Sequence, residues 1–335
     1  MIELRNNIDY QQLIEKIGNT YQSAKSKIIS AVNTEILYTY WQIGKNIIEF
    51  EQGGKLKAEY GKQLLDNLAK DLTLQYGRGF SRSNLNYMRL LYNKYPICET
   101  LSHKLTWSHY YELLKVEDDL AREFYEKQAI KENWTIRELR RQKKTALFHR
   151  IAIGKDKEKI LELSKKGQII QTEEDFIKNP HVFEFMNFPE NYEYTENDIE
   201  KAIINNLQHF LLELGKGFAF IGRQQRITLN NRHYFVDLVF YHVKLKCYVL
   251  IDLKIGEVAH EHIGQMKLYL GYYEKEVNDI SDNEPIGLIL SEEKDDIMVE
   301  YAMLKDTSKL IVSKYQLYLP DLEQLKNKVR EIIEK

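Results

Sequence analysis

The sequence predicts a two-domain α+β protein, with an all-α N-terminal domain and an α/β C-terminal domain. Apolar residues recur at helical spacing through most of residues 8–150, whereas β-type runs occur only later, within 218–253 and beyond. A segment with two prolines and several aromatic residues, 173–191, lies between these halves, as is typical of a domain connection. The predicted boundaries are a helical domain at 1–165, a linker at 166–192 and a second domain at 193–335.

Composition and charge limit the class of protein. The 335 residues are 43% hydrophobic, enough for two cores, and no apolar run approaches the roughly 20 residues of a membrane span. Cys98 and Cys247 fall in different predicted domains, which favours reduced thiols in a cytoplasmic protein. Residues 1–150 hold 24 basic and 18 acidic residues (+6) and the remainder 24 and 32 (−8). This asymmetry favours a nucleic-acid-binding front half, with ordinary surface-charge variation as the alternative.

The front half is predicted to be a series of helices. Residues 8–51 predict one or two long helices that stop at Gly53-Gly54, and residues 60–75 predict the next one. After a Gly-rich turn at 76–80, Ser81 is the predicted N-cap of a helix that ends before Pro96. Three further helices follow: one from a junction at 105–110 that continues to Leu114, one at 118–131 and one from Trp134 onward.

The two helices around the Gly-rich turn have the form of a helix-turn-helix, whose second helix enters the DNA major groove. Arginine and asparagine side chains contact guanine and adenine edges in pairs of hydrogen bonds. The predicted DNA-contact residues of this helix are Arg82, Asn84, Asn86 and Arg89. A plain helical hairpin with a solvated basic face is the alternative.

The most basic stretch of the chain lies on the helix that begins near Trp134. Its predicted phosphate contacts are Arg140, Arg141, Lys143 and Lys144. Such a cluster would bind DNA with an affinity that falls as salt increases. A solvated helix face is the alternative here as well.

The back half alternates helices with strands. Thr195 is the predicted cap of a helix that runs to about residue 214 and ends at Gly215. The remaining predicted elements are strands at 218–229, 234–241, 247–253 and 285–290, helices at 260–275 and 297–305, extended pieces at 310–312 and 315–319, and a final helix from Asp321. This order predicts a mixed central sheet flanked by helices.

Two of these strands carry carboxylates that an apolar strand would not bury without a reason. Asp237 is the single carboxylate of its strand, and Asp252 ends the next one, with Lys254 two residues further on. Neighbouring antiparallel strands lie about 4.8 Å apart, so pairing would place Asp237 beside Asp252. Two carboxylates this close repel each other, and a divalent cation relieves the repulsion. The pattern therefore predicts a metal site.

The flanking helices add polar residues in informative positions. Glu200 falls on or beside the buried stripe of the 195–214 helix, where a carboxylate is normally avoided. The alternative for Glu200 is a boundary surface residue favoured by the helix dipole. On the 260–275 helix, Gln265 and Tyr269 share one face at i, i+4.

The ordered set Asp237, Asp252-Leu253-Lys254 and Gln265-x-x-x-Tyr269 resembles the PD-(D/E)XK nuclease superfamily and its RecB-like branch. Further motifs resemble the YhcG family of bacterial nucleases over most of the chain. They are YWQIG, EYG, YGRGFS, LTWSHY, WTIREL and LGKGF. The resemblance implies a restriction-endonuclease-like second domain. It also implies a catalytic set of Asp237, Asp252, Lys254, Gln265, Tyr269 and Glu200, with the metal on Asp237, Asp252 and Glu200.

The function implied by the resemblance is a DNA endonuclease that uses Mg²⁺ or Mn²⁺ and cleaves the P–O3′ bond of branched, damaged or foreign DNA. Arg223, in a segment similar to the family's G-R-Q element, is a predicted phosphate contact, and Gln224 or Gln225 could assist at the site. A homodimer is favoured because cutting both DNA strands takes two nicks, and two nicks with one site per chain require two chains. Residue 252 departs from the pattern, since Glu is more common there than Asp. The alternatives are a catalytically inactive nucleic-acid- or protein-binding module of this fold and a structure-specific RNase.

Overall fold

The computed structural model describes residues 8–52, 63–153, 155–169, 175, 180–189, 193–293, 295, 299 and 309–334. The chain divides into two compact units, Met1–Arg140 and Arg141–Lys335. The first is all-α within its described residues and the second is built on a mixed sheet, which confirms the predicted two-domain α+β class. No helix in the described part of the chain is long and apolar enough to cross a membrane.

The first unit is a succession of helices. They are α1 (Ile8–Gln52), α2 (Leu64–Tyr76), α3 (Arg82–Lys94), α4 (Trp107–Leu113), α5 (Asp119–Glu132) and α6 (Ile136–Lys144), and the division between the units falls within α6. The predicted cap at Ser81 is confirmed, because its side chain accepts a hydrogen bond from the Asn84 N–H at 3.2 Å. The predicted stop at Gly53-Gly54 lies outside the described residues.

Helix α1 contacts α3 closely along its C-terminal half. A Cβ atom on Gly44 would overlap the backbone carbonyl of Met88, so only glycine permits this approach. Ile47, Leu85 and Met88 are buried at the crossing, and the Trp41 indole N–H donates to the Tyr95 carbonyl at 2.7 Å. The C-terminal half of α1 is thus fixed by packing and by a directional hydrogen bond.

The N-terminal half of α1 is different, because every side chain from Asp9 to Ile29 is exposed. Its apolar residues include Leu13, Ile17 and Tyr21, which are 51, 60 and 67% exposed. The helical periodicity predicted for this segment is confirmed, yet its apolar stripe is not covered by the described residues.

The second unit contains a six-stranded sheet and its flanking helices. The elements are α7 (Leu147–Ala152), α8 (Lys157–Lys166), β1 (His181–Val182), α9 (Glu196–Asn205), α10 (Leu207–Leu214), β2 (Phe218–Leu229), β3 (Arg232–His242), β4 (Cys247–Glu257), α11 (His260–Tyr272), β5 (Ile286–Glu293), β6 (Leu310–Gln316) and α12 (Leu322–Glu334). The strand order is β1-β6-β5-β4-β3-β2. Strands β2, β3 and β4 pair antiparallel, and β4, β5, β6 and β1 pair parallel.

Each face of the sheet is covered by a different set of helices. Ile199 and Ile203 of α9 and Phe210 of α10 pack in one core with the strand residues Leu238 and Ile251. On the opposite face, Ile263 and Met266 of α11 pack in a second core with Leu250 and Ile289. Strand β4 is therefore buried on both sides, as its continuous apolar run predicts.

Two predicted elements differ from the structure. The single helix predicted from 195 to 214 is two helices, because Asn206 leaves helical geometry (φ −118°) and its side chain donates to the Ala202 carbonyl at 3.0 Å. The two extended pieces predicted within 310–319 form one strand, β6. The helix predicted at 297–305 falls almost entirely outside the described residues.

Candidate active site

The register of β3 against β4 brings two carboxylates together. Leu238 pairs with Ile251, so continuing the register by one residue places Asp237 opposite Asp252. Asp237 Oδ2 accepts a hydrogen bond from the Leu253 N–H at 2.8 Å, which holds its carboxylate against the backbone of β4 next to Asp252. The charge of Asp237 acts on Asp252 through this proximity.

Asp252 is buried, at 2% exposure, on a central strand. Its Oδ2 lies 2.9 Å from Lys254 Nζ, and the described residues supply no other donor to this oxygen. Burial, followed by the charge of Asp237, raises the pKa of Asp252 to about 7. Without a cation, Asp252 therefore binds a proton as the pH falls through neutrality.

Lys254 lies among carboxylates at the end of β4. Its Nζ is 3.5 Å from Glu196 Oε2, besides its ion pair with Asp252, and donates to the Leu253 carbonyl at 3.1 Å. Burial alone would lower the pKa of Lys254, but the charges of Asp252, Glu196 and Asp237 together raise it. Lys254 is therefore a cation at neutral pH and can stabilise negative charge.

Glu200 reaches the same place from helix α9. It is only 5% exposed, and its Oε2 accepts a hydrogen bond from Gln224 Nε2, which also donates to Asp237 Oδ1 at 3.1 Å. One amide nitrogen thus joins the carboxylates of Glu200 and Asp237. Gln224 adopts a left-handed backbone conformation (φ 47°), which is costly for a residue other than glycine and typical of functional sites.

Gln265 and Tyr269 of α11 support the site through a hydrogen bond to the backbone of β3. The Tyr269 side chain is fully buried, and its hydroxyl donates to the Phe235 carbonyl at 2.9 Å, two residues before Asp237. Gln265 Nε2 donates in turn to this hydroxyl. Burial raises the pKa of Tyr269, which keeps it protonated as a donor. In this arrangement the pair holds the β3 backbone in place.

Two further carboxylates at the site were missed from the sequence. Glu196 accepts from the Ile255 N–H at 3.3 Å, and Glu292 accepts from the Gly256 N–H at 3.2 Å. Glu196 lies one turn before Glu200 on α9, and this i, i+4 spacing would have indicated a shared face. Glu292 comes from β5, and nothing local in the sequence indicates its position.

The donor set suits a hard divalent cation. Glu200, Asp237 and Asp252 offer carboxylate oxygens, the ligands that Mg²⁺ and Mn²⁺ prefer. Asp252 Oδ2 is buried, and Lys254 is its single cationic neighbour among the described residues. A bound cation would therefore stabilise this oxygen. Within those residues no three His, Cys, Asp or Glu side chains are arranged as a finished metal site. The Gln224 amide donates hydrogen bonds to two of these carboxylates, and the Lys254 ammonium offsets part of their charge.

The predicted DNA-contact residues of α3 all have partners inside the first unit. Arg82 Nε lies 2.9 Å from Asp66 Oδ1, with the Arg82 side chain 64% exposed. Arg89 pairs with Glu51 at 2.7 Å and also donates to Asn86 Oδ1 at 2.9 Å. Of these, Arg82 is the most accessible to a phosphate.

Asn84 is engaged on both sides of its amide. It donates to the Gly79 carbonyl at 2.5 Å and accepts from the Trp107 indole N–H at 3.1 Å. These bonds fix the Gly-rich turn before α3 and leave the Asn84 side chain little freedom to contact a base.

The basic cluster of α6 is not uniformly accessible. Arg140 is 62% exposed and pairs with Glu112 at 2.9 Å, and Lys144 is exposed. Arg141 is only 12% exposed and lies 2.9 Å from Glu184 and 3.2 Å from Glu213. This placement argues against a phosphate contact by Arg141, because its charge is already neutralised by two carboxylates. Lys143 is half-buried, and Arg223 of β2 is exposed at 3.9 Å from Glu200.

Two family models match the chain, one for each half. Residues 174–330 match the YhcG PDDEXK nuclease domain. Residues 16–150 match the DUF1016 N-terminal domain. The first match includes Glu200, Gln224, Asp237, Asp252 and Lys254, and thus the whole carboxylate site.

A known protein is similar to this chain over nearly its whole length. The "Putative nuclease YhcG" of Escherichia coli (strain K12) is 36% identical over 348 aligned positions, which cover 94% of this chain and 92% of the relative. A solved structure of a repair endonuclease from Pyrococcus abyssi aligns with 39% of this chain and 50% of its own, at 20% identity and a TM-score of 0.27. This last similarity is too low to support an argument about function.

Proposed function

We propose that this chain, which belongs to the YhcG family of PDDEXK nucleases, is a divalent-metal-dependent deoxyribonuclease. Family membership makes the chain a hydrolase of nucleic acid. The observation that supports the finer proposal is the meeting of Asp237, Asp252 and Lys254 where the pairing of β3 with β4 ends. That geometry juxtaposes acidic oxygens with a fixed cation, as hydrolysis of a charged ester requires.

Asp237, Asp252 and Glu200 would hold the cation, Mg²⁺ or Mn²⁺, which when bound supplies Lewis-acid activation of the phosphodiester and of the attacking water. Gln224 holds Glu200 and Asp237 to one another through its bridging amide. Tyr269 and Gln265 keep the β3 backbone, and with it Asp237, from moving. These residues orient the site before any substrate arrives.

Lys254 is proposed to stabilise the negative charge that develops on the phosphate in the transition state. A raised pKa keeps the Lys254 ammonium charged, so it suits this role better than the role of a general base. Glu196 lies 3.5 Å from this ammonium and limits its freedom.

DNA is the proposed polymer, and several basic residues are proposed to contact its phosphates. The accessible ones are Arg82 on α3, Arg140 and Lys144 on α6 and Arg223 on β2, while Asn84, Asn86, Arg89, Arg141 and Lys143 are engaged or partly buried. Branched, damaged or foreign DNA is the proposed substrate.

A cleavage assay tests the proposal. Purified protein is incubated with plasmid, single-stranded DNA, branched DNA and RNA of equal length, each with Mg²⁺, Mn²⁺ or EDTA. We expect DNA to be cut with either metal and to remain intact in EDTA, because EDTA removes the divalent cation that the carboxylates would bind. The products are analysed on denaturing gels with end labels.

Two other outcomes would contradict the proposed deoxyribonuclease activity. Cutting of RNA alone would indicate a ribonuclease. Binding of DNA without cutting under any metal would indicate a catalytically inactive module of the nuclease fold, and the proposed activity would then be abandoned.

A further inference from the structure

The distal part of the β2–β3 hairpin is basic and exposed. Residues 222–236 contain three arginines, Arg223, Arg226 and Arg232, and no aspartate or glutamate. Arg226 and Arg232 are exposed and form no ion pair with any described residue. A cationic hairpin that begins beside the carboxylate site has charge complementary to a phosphate backbone.

One face of this hairpin also presents an aromatic ring. Ile227 and Val236 are buried in the core beneath α11, so residues that alternate with them point to the opposite face. Arg226 and Phe235 are paired across the strands on that opposite face. Phe235 is 47% exposed, although a phenylalanine is ordinarily covered.

The ring is also held close to the site. The Phe235 carbonyl accepts the hydrogen bond from buried Tyr269, and Asp237 is two residues further along β3. Two residues of strand span about 7 Å, roughly one nucleotide step of an extended strand. A base stacked on Phe235 would therefore neighbour the phosphate at the carboxylates.

We propose that the distal β2–β3 hairpin binds an unpaired stretch of DNA, with a base stacked on Phe235 and a phosphate on Arg226. Stacking on an aromatic ring beside cationic groups is the common mode of single-strand recognition. The inference rests on the proposed function and narrows its substrate to DNA with a single-stranded segment next to the cleavage position, such as a flap or fork.

Binding measured in EDTA tests this site without requiring catalysis. Fluorescence anisotropy compares a labelled single strand with a blunt duplex of equal length. We expect Phe235→Ala to weaken single-strand binding by roughly five- to hundredfold and duplex binding by less than twofold, since a stacked base is lost. Phe235→Tyr should restore most of the affinity. Arg226→Ala should lower the salt dependence of log affinity by about 0.7.

Matched controls separate these effects from general damage. Ile221→Ala removes an exposed apolar side chain of the neighbouring strand β2, and Arg330→Ala removes an exposed charge on α12. Both should bind like the wild type. Unchanged single-strand binding in Phe235→Ala, or an equal loss for duplex, would overturn the hairpin site. A protein that binds but never cuts would instead overturn the proposed activity alone.

A second inference concerns the uncovered half of α1. Residues Ile14, Ile17, Tyr21, Ala24, Ile28 and Ala31 alternate at spacings of three and four, and all of them are exposed. On the opposite face, Gln12, Asn19, Ser26 and Asn33 recur every seven residues. An apolar seam of period 3.5 with a polar back is the pattern of a helix that packs lengthwise on another helix.

The exposed area is sufficient for a stable dimer. Eight large apolar residues between 10 and 32 are each about half exposed, which leaves on the order of 800 Å² of accessible surface, the share of one partner in a standard interface. Residues 9–32 carry two acidic and three basic side chains, so two copies would repel each other little. We infer that α1 pairs with α1 of a second copy of this chain.

Sedimentation velocity tests the self-association. We expect the wild type to be a dimer at micromolar concentration and Ile17→Lys or Tyr21→Lys to be a monomer with unchanged melting of the remaining fold. Asn19→Lys adds the same charge on the polar face of α1 and should stay dimeric. A monomeric wild type at these concentrations, or dissociation by Asn19→Lys as well, would overturn the inference.

Discussion

Replacing Asp252 with asparagine should abolish cleavage and, at the same time, make the metal-free protein more stable. Loss of one carboxylate from the site removes several kcal/mol of transition-state stabilisation, so we expect cleavage to fall by on the order of 10³ or more. Initial rates on labelled DNA in saturating Mg²⁺ measure this loss. Glu331→Gln, which removes an exposed charge on α12, is the control and should leave the rate unchanged.

The gain in stability follows from the raised pKa of Asp252. Its pKa is about 7 in the folded protein and near 4 in an unfolded chain, so the folded state binds more protons between these values. The contribution of Asp252 to the free energy of unfolding of the metal-free wild type then falls as pH rises from about 4 to 7. Asparagine carries no charge and avoids this loss.

Denaturant unfolding in EDTA at pH 5 and pH 8 measures the difference. At pH 8 we expect Asp252→Asn to exceed the wild type by up to about 4 kcal/mol, the equivalent of three pKa units. At pH 5 the gap should largely close, since Asp252 is then protonated. A variant less stable than the wild type at both pH values would contradict the buried, repelled carboxylate described above.

Replacing Lys254 with methionine should stop cleavage without weakening metal binding. Methionine keeps much of the length of lysine but has no charge, so stabilisation of the developing phosphate charge is lost and the rate should fall by roughly 10²–10³. Affinity for Mn²⁺ should hold or increase, because the variant lacks the cation 2.9 Å from Asp252 Oδ2. Calorimetric titration with Mn²⁺ measures the affinity.

This pair of measurements separates two roles for Lys254. Lys328→Met, an exposed change on α12, should alter neither the rate nor the affinity. If Lys254→Met lost metal affinity in parallel with activity, the lysine would be needed to shape the carboxylate site, and its proposed role in the transition state would be withdrawn.

Local signals in the sequence predicted much of the second unit. The single carboxylates of two apolar runs led to Asp237 and Asp252, because strand alternation and pairing distance are fixed by backbone geometry. The burial of Glu200 followed from helical periodicity in the same way. Caps at Ser81 and Thr195 were predictable because a cap depends on only four consecutive residues.

Features that depend on distant residues were not predictable. Gln224 or Gln225 was expected to assist at the site, but the bridge from Glu200 to Asp237 was not, because it depends on the left-handed backbone conformation of Gln224. Arg141 looked like part of a basic face, yet Glu184 and Glu213 neutralise it from 43 and 72 residues away. Such contacts arise from tertiary packing, which a pattern in sequence does not contain.

The sheet topology also has a consequence for the order in which the site is built. Strands β2, β3 and β4 follow one another in the chain and are joined by short turns. Strand β1 pairs only with β6, which comes much later in the chain, with His181 opposite Tyr315. Closing a short loop costs less entropy and is faster than joining distant segments. During synthesis, the strands that bear Asp237, Asp252 and Lys254 can therefore pair soon after they leave the ribosome, well before the last strand is made.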